Sequence, residues 1–227
     1  MSTIYFENET YPGEALDANE QALLLNNLYA NIAGESSLML RLFRDNEAKI
    51  LAAAQIAKDK LKVRFGGQLA GDGEFGLRLI RSLDILRTTG ATETPNLDWE
   101  FTFASGSDYW IGFGTDNLTA ANVDRRIGCI IVLGIAFTQG GSPVVEDVYP
   151  QIGGNVYPIQ VIRHAWVADN PNGVRLARIR PWLLPQGQTA LIQVRTRGAG
   201  ANQLVLVGVT FARGDFMRLL APTTVQL

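Results

Sequence analysis

One histidine, His164, and one cysteine, Cys129, are all the imidazole and thiol in this chain, and those counts remove most catalytic designs. A Ser-His-Asp or Cys-His set would have to draw on His164, which stands between Arg163 and Ala165-Trp166 with no Gly-x-Ser-x-Gly elbow to accompany it. Zinc sites assembled from several Cys and His, and any site built on a His pair, are excluded by the same count. His164 is therefore expected to pack or to touch a partner. Cys129 cannot form an internal disulfide, and its neighbours Ile127, Ile130 and Ile131 predict a buried core thiol.

Paired carboxylates are the next chemistry to test. Asp98 and Glu100 are two apart and flank Trp99, with Asp108, Tyr109 and Trp110 close behind; such a set suits glycoside hydrolysis or a sugar-binding face. Hydrolysis requires two carboxyl groups across a bond at a fixed separation, whereas the alternation of Trp99, Glu100 and Phe101 is that of a half-buried strand. The stretch Gly71-Asp72-Gly73-Glu74-Phe75-Gly76 matches Gly-x-Gly-x-x-Gly literally. A dinucleotide loop needs helix N-terminal amides facing pyrophosphate, and Asp72 and Glu74 would set two negative charges beside it, so the stretch is read as a turn. Asp116, Asp124, Glu146 and Asp147 lack the spacing of a calcium loop and are expected in solvated turns. No catalytic, cofactor-binding or metal-ligating residue is assigned, and the chain is expected not to be an enzyme.

The bulk properties agree. Twenty basic and 22 acidic side chains leave a net charge of −2 over 227 residues, with no basic run beyond Arg125-Arg126 to track phosphates. Nucleic acid and membrane are thus not expected as partners, the apolar stretches Cys129 to Phe137 and Leu204 to Val209 being far shorter than a span of ~20 residues. The first thirty residues lack a basic and an apolar region, which predicts no secretory signal and synthesis in a cytoplasm.

The elements expected to position these residues fall in two segments, a helical one over 1–61 and a β body over 62–227. Residues 1–16 show no period and read as an arm that lies across another surface. Asp17 and Glu20 have capping-box spacing, and Leu24, Leu25, Leu28 and Ile32 share a helical face up to Gly34, predicting a helix over 18–33. Ile50, Ala53, Ala54, Ala57 and Leu61 form one stripe of a second helix over 46–60. Between them Leu38, Leu40 and Leu42 alternate while Met39 and Phe43 fill the other side, leaving helix and strand both open.

After Lys62, short runs of Val, Ile, Phe, Trp and Tyr separated by Gly, Pro, Asn and Asp predict strands at 62–65, 77–80, 98–103, 109–113, 127–137, 156–164, 174–180, 190–196 and 204–211. Turns are expected at 71–73, 104–107, 140–143, 170–173, 185–187 and 198–202. Successive strands without helices between them imply antiparallel pairing, hence a mainly β protein with a sandwich of jelly-roll kind.

The run from Thr189 to Phe211 has a strand, the small-residue turn Gly198-Ala199-Gly200-Ala201-Asn202, and a strand ending in Val207-Gly208-Val209-Thr210-Phe211. It resembles the terminal hairpin of β-sandwich virion proteins of tailed bacteriophages, among them capsid cement or decoration subunits and neck or tail components. The resemblance covers about the last 70 residues, from Val156, and the helical first 60 lie outside it. It implies a virion structural protein, assembled in the host cytoplasm and carried in the virion, that binds a major capsid protein or other virion subunits and forms a homo-oligomer, with a trimer favoured. No cofactor is expected. Candidate interface anchors are Tyr5, Phe6 and Tyr11 in the arm, with Trp110, Tyr149, Tyr157 and Trp182 in or beside loops, since aromatic side chains supply contact area at low cost in rotamer freedom. The alternative is a carbohydrate-binding or receptor-recognition β-sandwich, with Trp and Tyr exposed beside polar loops.

Overall fold

The computed structural model describes residues 2–6, 9–67, 69–81, 84–89, 92–95, 100–103, 108–113, 126–137, 145–152, 155–156, 160–161, 175–186, 190–196 and 200–219. The fold mixes helices and strands. The first helix, α1 (Ala18–Ile32), begins where the sequence places it, because Asp17 accepts from the Glu20 N–H at 2.8 Å while Glu20 accepts from the Asp17 N–H at 3.0 Å. Leu24, Leu28 and Ile32 then turn inward. The ambiguous stretch resolves as helix α2 (Ser37–Asp45): the Ser36 hydroxyl accepts from the Met39 N–H at 3.3 Å, and Leu42 and Phe43 are buried. Asn46 closes α2 and opens α3 (Glu47–Leu61), which ends on Lys62 in the left-handed region at φ 55°.

The expectation for residues 1–16 is corrected. They do not form an aperiodic arm but pair as the hairpin β1 (Ser2–Phe6) and β2 (Glu9–Gly13), which packs on α3 of the same chain. Alternation explains it, since Ile4, Phe6 and Tyr11 go inward and are 7%, 3% and 5% exposed.

One large sheet has the order β13 (Arg175–Pro185), β9 (Ile127–Phe137), β15 (Gly200–Arg213), β4 (Glu74–Leu79), β3 (Arg64–Phe65), with β7 (Glu100–Phe103) pairing the start of β15. The other runs β11 (Asn155–Val156), β10 (Val145–Ile152), β14 (Ala190–Thr196), β8 (Asp108–Phe113), β5 (Ile85–Thr89), β6 (Thr92–Pro95), with β12 (Gln160–Val161) on β10. Pairing is antiparallel except for β3 and β4, which are parallel. Strands β5, β6 and β10 were not expected from apolar runs; β5 is short and half polar, β6 and β10 carry Glu, Asp or Pro, which lower the strand signal, and pairing partners supply what propensity does not. Residues 200–202, expected in a turn, extend β15 instead, each facing a residue of β7. The short helix α4 (Gly214–Leu219) follows.

Helices α1, α2 and α3 cover one face of the first sheet. One apolar cluster joins Ile4, Leu28, Phe43 and Ile56 to Cys129, Ile131, Phe75 and Phe211, so the segments before and after residue 61 share a core. Phe75 meets Phe65 and Phe211 edge to face at 5.2 and 6.4 Å. Alternate residues of the same strands, Ile130, Val132, Trp182 and Thr210, are buried outside that cluster, which is why β9 and β15 read as apolar on both faces.

Two contacts set how the helices sit. A Cβ on Gly128 would lie 2.9 Å from the Ala57 Cα, so α3 crosses β9 at backbone distance. The Glu20 carboxylate ties three elements together, accepting from Lys58 Nζ of α3 at 2.8 Å and from the Phe65 N–H of β3 at 3.1 Å as well as from Asp17. Burial pushes Glu20 upward, but the Lys58 ammonium and the two backbone donors outweigh it and hold the carboxyl below its ordinary 4.5. Burial likewise presses Lys58 downward, and Glu20, with Glu14 and Asp17 nearby, holds it above 10.5.

A group with a lowered folded pKa contributes stability above its unfolded value and loses it as pH falls through the folded one; a group with a raised pKa contributes below its unfolded value and loses it as pH rises. The Glu20–Lys58 pair is accordingly in force between about pH 4.5 and 10.5. Urea unfolding should find Glu20→Gln less stable than the parent by about 1–3 kcal/mol at neutral pH, with the gap closing below pH 4.5; a gap that does not change with pH would refute the assignment. Gly128→Ala should lower stability by about 1–3 kcal/mol, while Gly73→Ala, whose Cβ meets nothing within 4 Å, should leave it unchanged by the same assay.

Candidate functional site

A groove of about 300 Å³ opens where α2 begins and β15 passes between its partners. Leu79 and Ile80 line it from the end of β4, Ala136 from β9, and Val205, Val207 and Gly208 from β15; Met39 forms the helical wall. The local sequence builds it through glycine. A Cβ at Gly208 would lie 2.0 Å from the Ile131 carbonyl oxygen and 3.0 Å from Ile80 Cδ1, so a larger residue there would displace the strand that floors the groove.

The polar groups at the rim are Glu35 and Ser36. Ser36 already caps α2 through its hydroxyl, and among the described lining residues Glu35 has no second acid, base or cation with which to form an acid–base pair. Among the described residues no aromatic ring lines the groove. What it offers is apolar surface at the lower end of the ~300–1,000 Å³ typical of ligand cavities.

Cys129 is fully buried, and burial pushes its thiol far above the ordinary cysteine range, so it stays protonated. Among the described residues no three His, Cys, Asp or Glu side chains gather as a metal site, and no helix is long and apolar enough to cross a membrane.

One polar cluster among the described residues is enclosed. Arg78 Nη2 donates to Asp84 at 2.6 Å, whose other oxygen accepts from the Thr210 hydroxyl at 2.8 Å and the Arg81 N–H at 3.1 Å. Arg78 and Arg126 both lie over the Phe216 ring, at 5.7 and 4.9 Å. Burial, reinforced by the Arg78 charge, lowers the Arg81 guanidinium. With Asp84 and Thr210 fully covered, the cluster fastens the approach to β5 onto β4, β15 and α4 and admits no substrate.

The expected anchors are redistributed. Phe6 and Tyr11 belong to the core under the hairpin, and Trp182 is fully buried on β13; all three are corrected from interface to interior. The reason is shared: each lies on the inward parity of a strand that sequence reading took for loop or for a strand that ends sooner. Tyr5 stands on β1 opposite Thr10. Trp110 of β8 and Tyr149 of β10 are both register partners of Gln193 on β14, so the three occupy one row across adjacent strands. The next row holds Asp108, Arg195 and Asp147, with Asp147 ion-paired to exposed Arg195. Asp147 is thus a strand residue, corrected from a turn, because its paired neighbour compensates its burial. Glu100 lies on β7 opposite Gln203, whereas Asp98, Trp99, Asp116, Asp124, Tyr157 and His164 lie outside the described residues. The groove had no linear signal, since its residues are ordinary core residues until four distant segments converge.

No family model matches the chain, and no curated protein matches it. Among solved structures it is similar to an exo-β-1,3-galactanase from Phanerochaete chrysosporium, at 12% identity and TM-score 0.27 over 59% of this chain and 28% of that one. A family 35 carbohydrate binding module from Clostridium thermocellum matches at 14% and 0.25 over 60% and 96%, and a rhamnosidase from Klebsiella oxytoca at 11% and 0.24 over 68% and 31%. The chain thus spans under a third of the length of these two enzymes, and at such scores the likeness carries no inference.

Asp84→Asn should cost about 3–5 kcal/mol, because it leaves the Arg78 charge buried without its counter-ion. Chemical denaturation would measure it, and a loss under about 1 kcal/mol would mean that the pair adds nothing to the fold.

Proposed function

We propose that this chain is a structural subunit that binds neighbouring protein chains, of the kind that stabilises a phage capsid or a neck or tail assembly. The carrying observation is the groove at α2 and β15: open, lined by Met39, Leu79, Ile80 and the valines of β15, with no ring or convergent polar set among the described lining residues. Such a lining suits an apolar side chain inserted by a protein neighbour, whose burial stabilises by about 25 cal/mol per Å². The described lining residues offer a sugar neither a stacking platform nor paired donors. We read the two large sheets as the layers of an antiparallel sandwich of jelly-roll kind, a reading that the antiparallel pairing of their long strands supports.

A carbohydrate-binding module is the second reading, favoured by the row Trp110, Gln193, Tyr149 beside Asp108, Arg195 and Asp147. Aromatic and hydrogen-bonding residue types alternate there as a glycan face requires.

Light scattering behind a sizing column decides between them. The parent should associate as concentration rises, and Met39→Glu and Val205→Asp, folded by circular dichroism, should associate about tenfold more weakly or not at all. A monomer throughout, with glycan binding that Trp110→Ala abolishes, would replace the structural reading by the second.

A further inference from the structure

Among the described residues two large apolar side chains are exposed, Leu69 at 95% and Leu23 at 41%. They flank one contact: Gly67, in the left-handed region at φ +81°, sits against Asn27, whose amide donates to the Leu23 carbonyl at 2.7 Å. The loop that bears Leu69 is fastened on both sides of it. A Cβ on Gly76 would lie 2.2 Å from the Gly67 carbonyl oxygen, and one on Gly214 would lie 2.1 Å from that of Ala70. Ala70 is buried, and the Gly71 N–H donates to Glu74 at 3.1 Å. The loop thus lies against the backbones of β4 and the end of β15 while Leu69 projects from it, an apolar side chain presented by a segment that is already ordered.

We propose that Leu69 of one copy of this chain inserts into the groove at α2 and β15 of a second copy. This deepens the structural reading above and rests on it. The contact is not made within one chain: the loop is fastened at Gly214, the groove opens at Val205 to Gly208, and from Val207 to Gly214 the strand runs roughly 20 Å. Size agrees. A cavity of about 150 Å³ already admits benzene, so a groove of about 300 Å³ takes a leucine side chain. Charge agrees as well, because each surface carries one sign at its edge. Glu35 is exposed at the rim of the groove. Beside the loop, Glu74 accepts from Arg64 through one oxygen and from Gly71 through the other, which sets Arg64 next to Leu69. Arg64 is 77% exposed and directs Nε and Nη2 to that one oxygen, leaving Nη1 for a second carboxylate, that of Glu35 in the neighbour. The ion pair fixes the orientation in which the leucine enters. A loop that meets a groove is a heterologous contact: each copy offers both surfaces, and repetition gives a ring where the rotation closes and a filament where it does not. One leucine and one ion pair link two copies weakly, and closure, which holds every copy on both sides, strengthens the whole.

Light scattering on the full chain tests the pairing. The parent should grow past a dimer as concentration rises. Leu69→Asp, a change at an exposed position, should shift half-association to at least about tenfold higher concentration. Val205→Asp should do the same, with Met39→Glu as a second groove variant, each folded by circular dichroism. Leu69→Asp mixed with Val205→Asp in equal amounts should form pairs that grow no further, because one intact leucine and one intact groove remain between them. Arg64→Glu and Glu35→Arg should each weaken association, and their equimolar mixture should restore it, since every contact between the two then joins opposite charges. Association of Leu69→Asp equal to the parent, or mixtures that associate no better than their separate components, would overturn the insertion. Association that survives Leu69→Asp but fails in Val205→Asp and Met39→Glu would remove the Leu69 contact and keep the structural reading; a monomeric parent that binds glycan would remove both.

Discussion

The approach of α3 to β9 governs this molecule. Ala57 and Gly128 meet where the helix crosses the strand, and with no side chain on the glycine the two backbones come close enough for Ala53, Ala54 and Leu61 to seal against Cys129 and Ile131. Two further placements build on the same helix. Lys58 emerges from the same helix to meet Glu20, which orients α1, and the N-terminal hairpin closes over the opposite side through Phe6 and Tyr11. The first sheet is therefore covered before its strands are used for anything else.

Its second face is organised by charge. Arg78, Asp84 and Thr210 form a buried clasp at the point where the chain leaves β4 for the strands of the other sheet. Burial of an ion pair is costly unless its hydrogen bonds are filled; Asp84 fills its own with three donors, whereas Arg78 Nε and Nη1 are buried without a hydrogen bond. Such a clasp contributes more to where the chain turns than to net stability. It also explains why so concentrated a group of ionisable residues has no outlet to solvent and performs no chemistry.

Function, on this view, belongs to the surfaces that remain. The groove at β15 is apolar because four core-forming segments meet there, and the outer face of α1 is uncharged because the single acid of the helix is turned inward. Both properties suit association with protein. The row through Trp110, Gln193 and Tyr149 has another character, aromatic and amide types beside an ion pair, and it is the feature that speaks for a sugar.

Local signals in the chain were enough for α1 and α3, because the Asp17–Glu20 cap, the leucine spacing and the alanine stripe are short-range facts. The β character after residue 62, the long apolar strands β9 and β15 and the burial of Cys129 were legible for the same reason. Other features depended on partners. Whether 38–43 coils or extends turned on the Ser36 cap and the sheet beneath it, and the parity of Phe6, Tyr11 and Trp182 turned on strands whose limits come from pairing. Glu20, Lys58 and Phe65 lie far apart in sequence, as do Met39, Ala136 and Val205. Hydrophobic periodicity states which residues must be covered but not by what, and the covering partner is chosen only when distant segments close on one another.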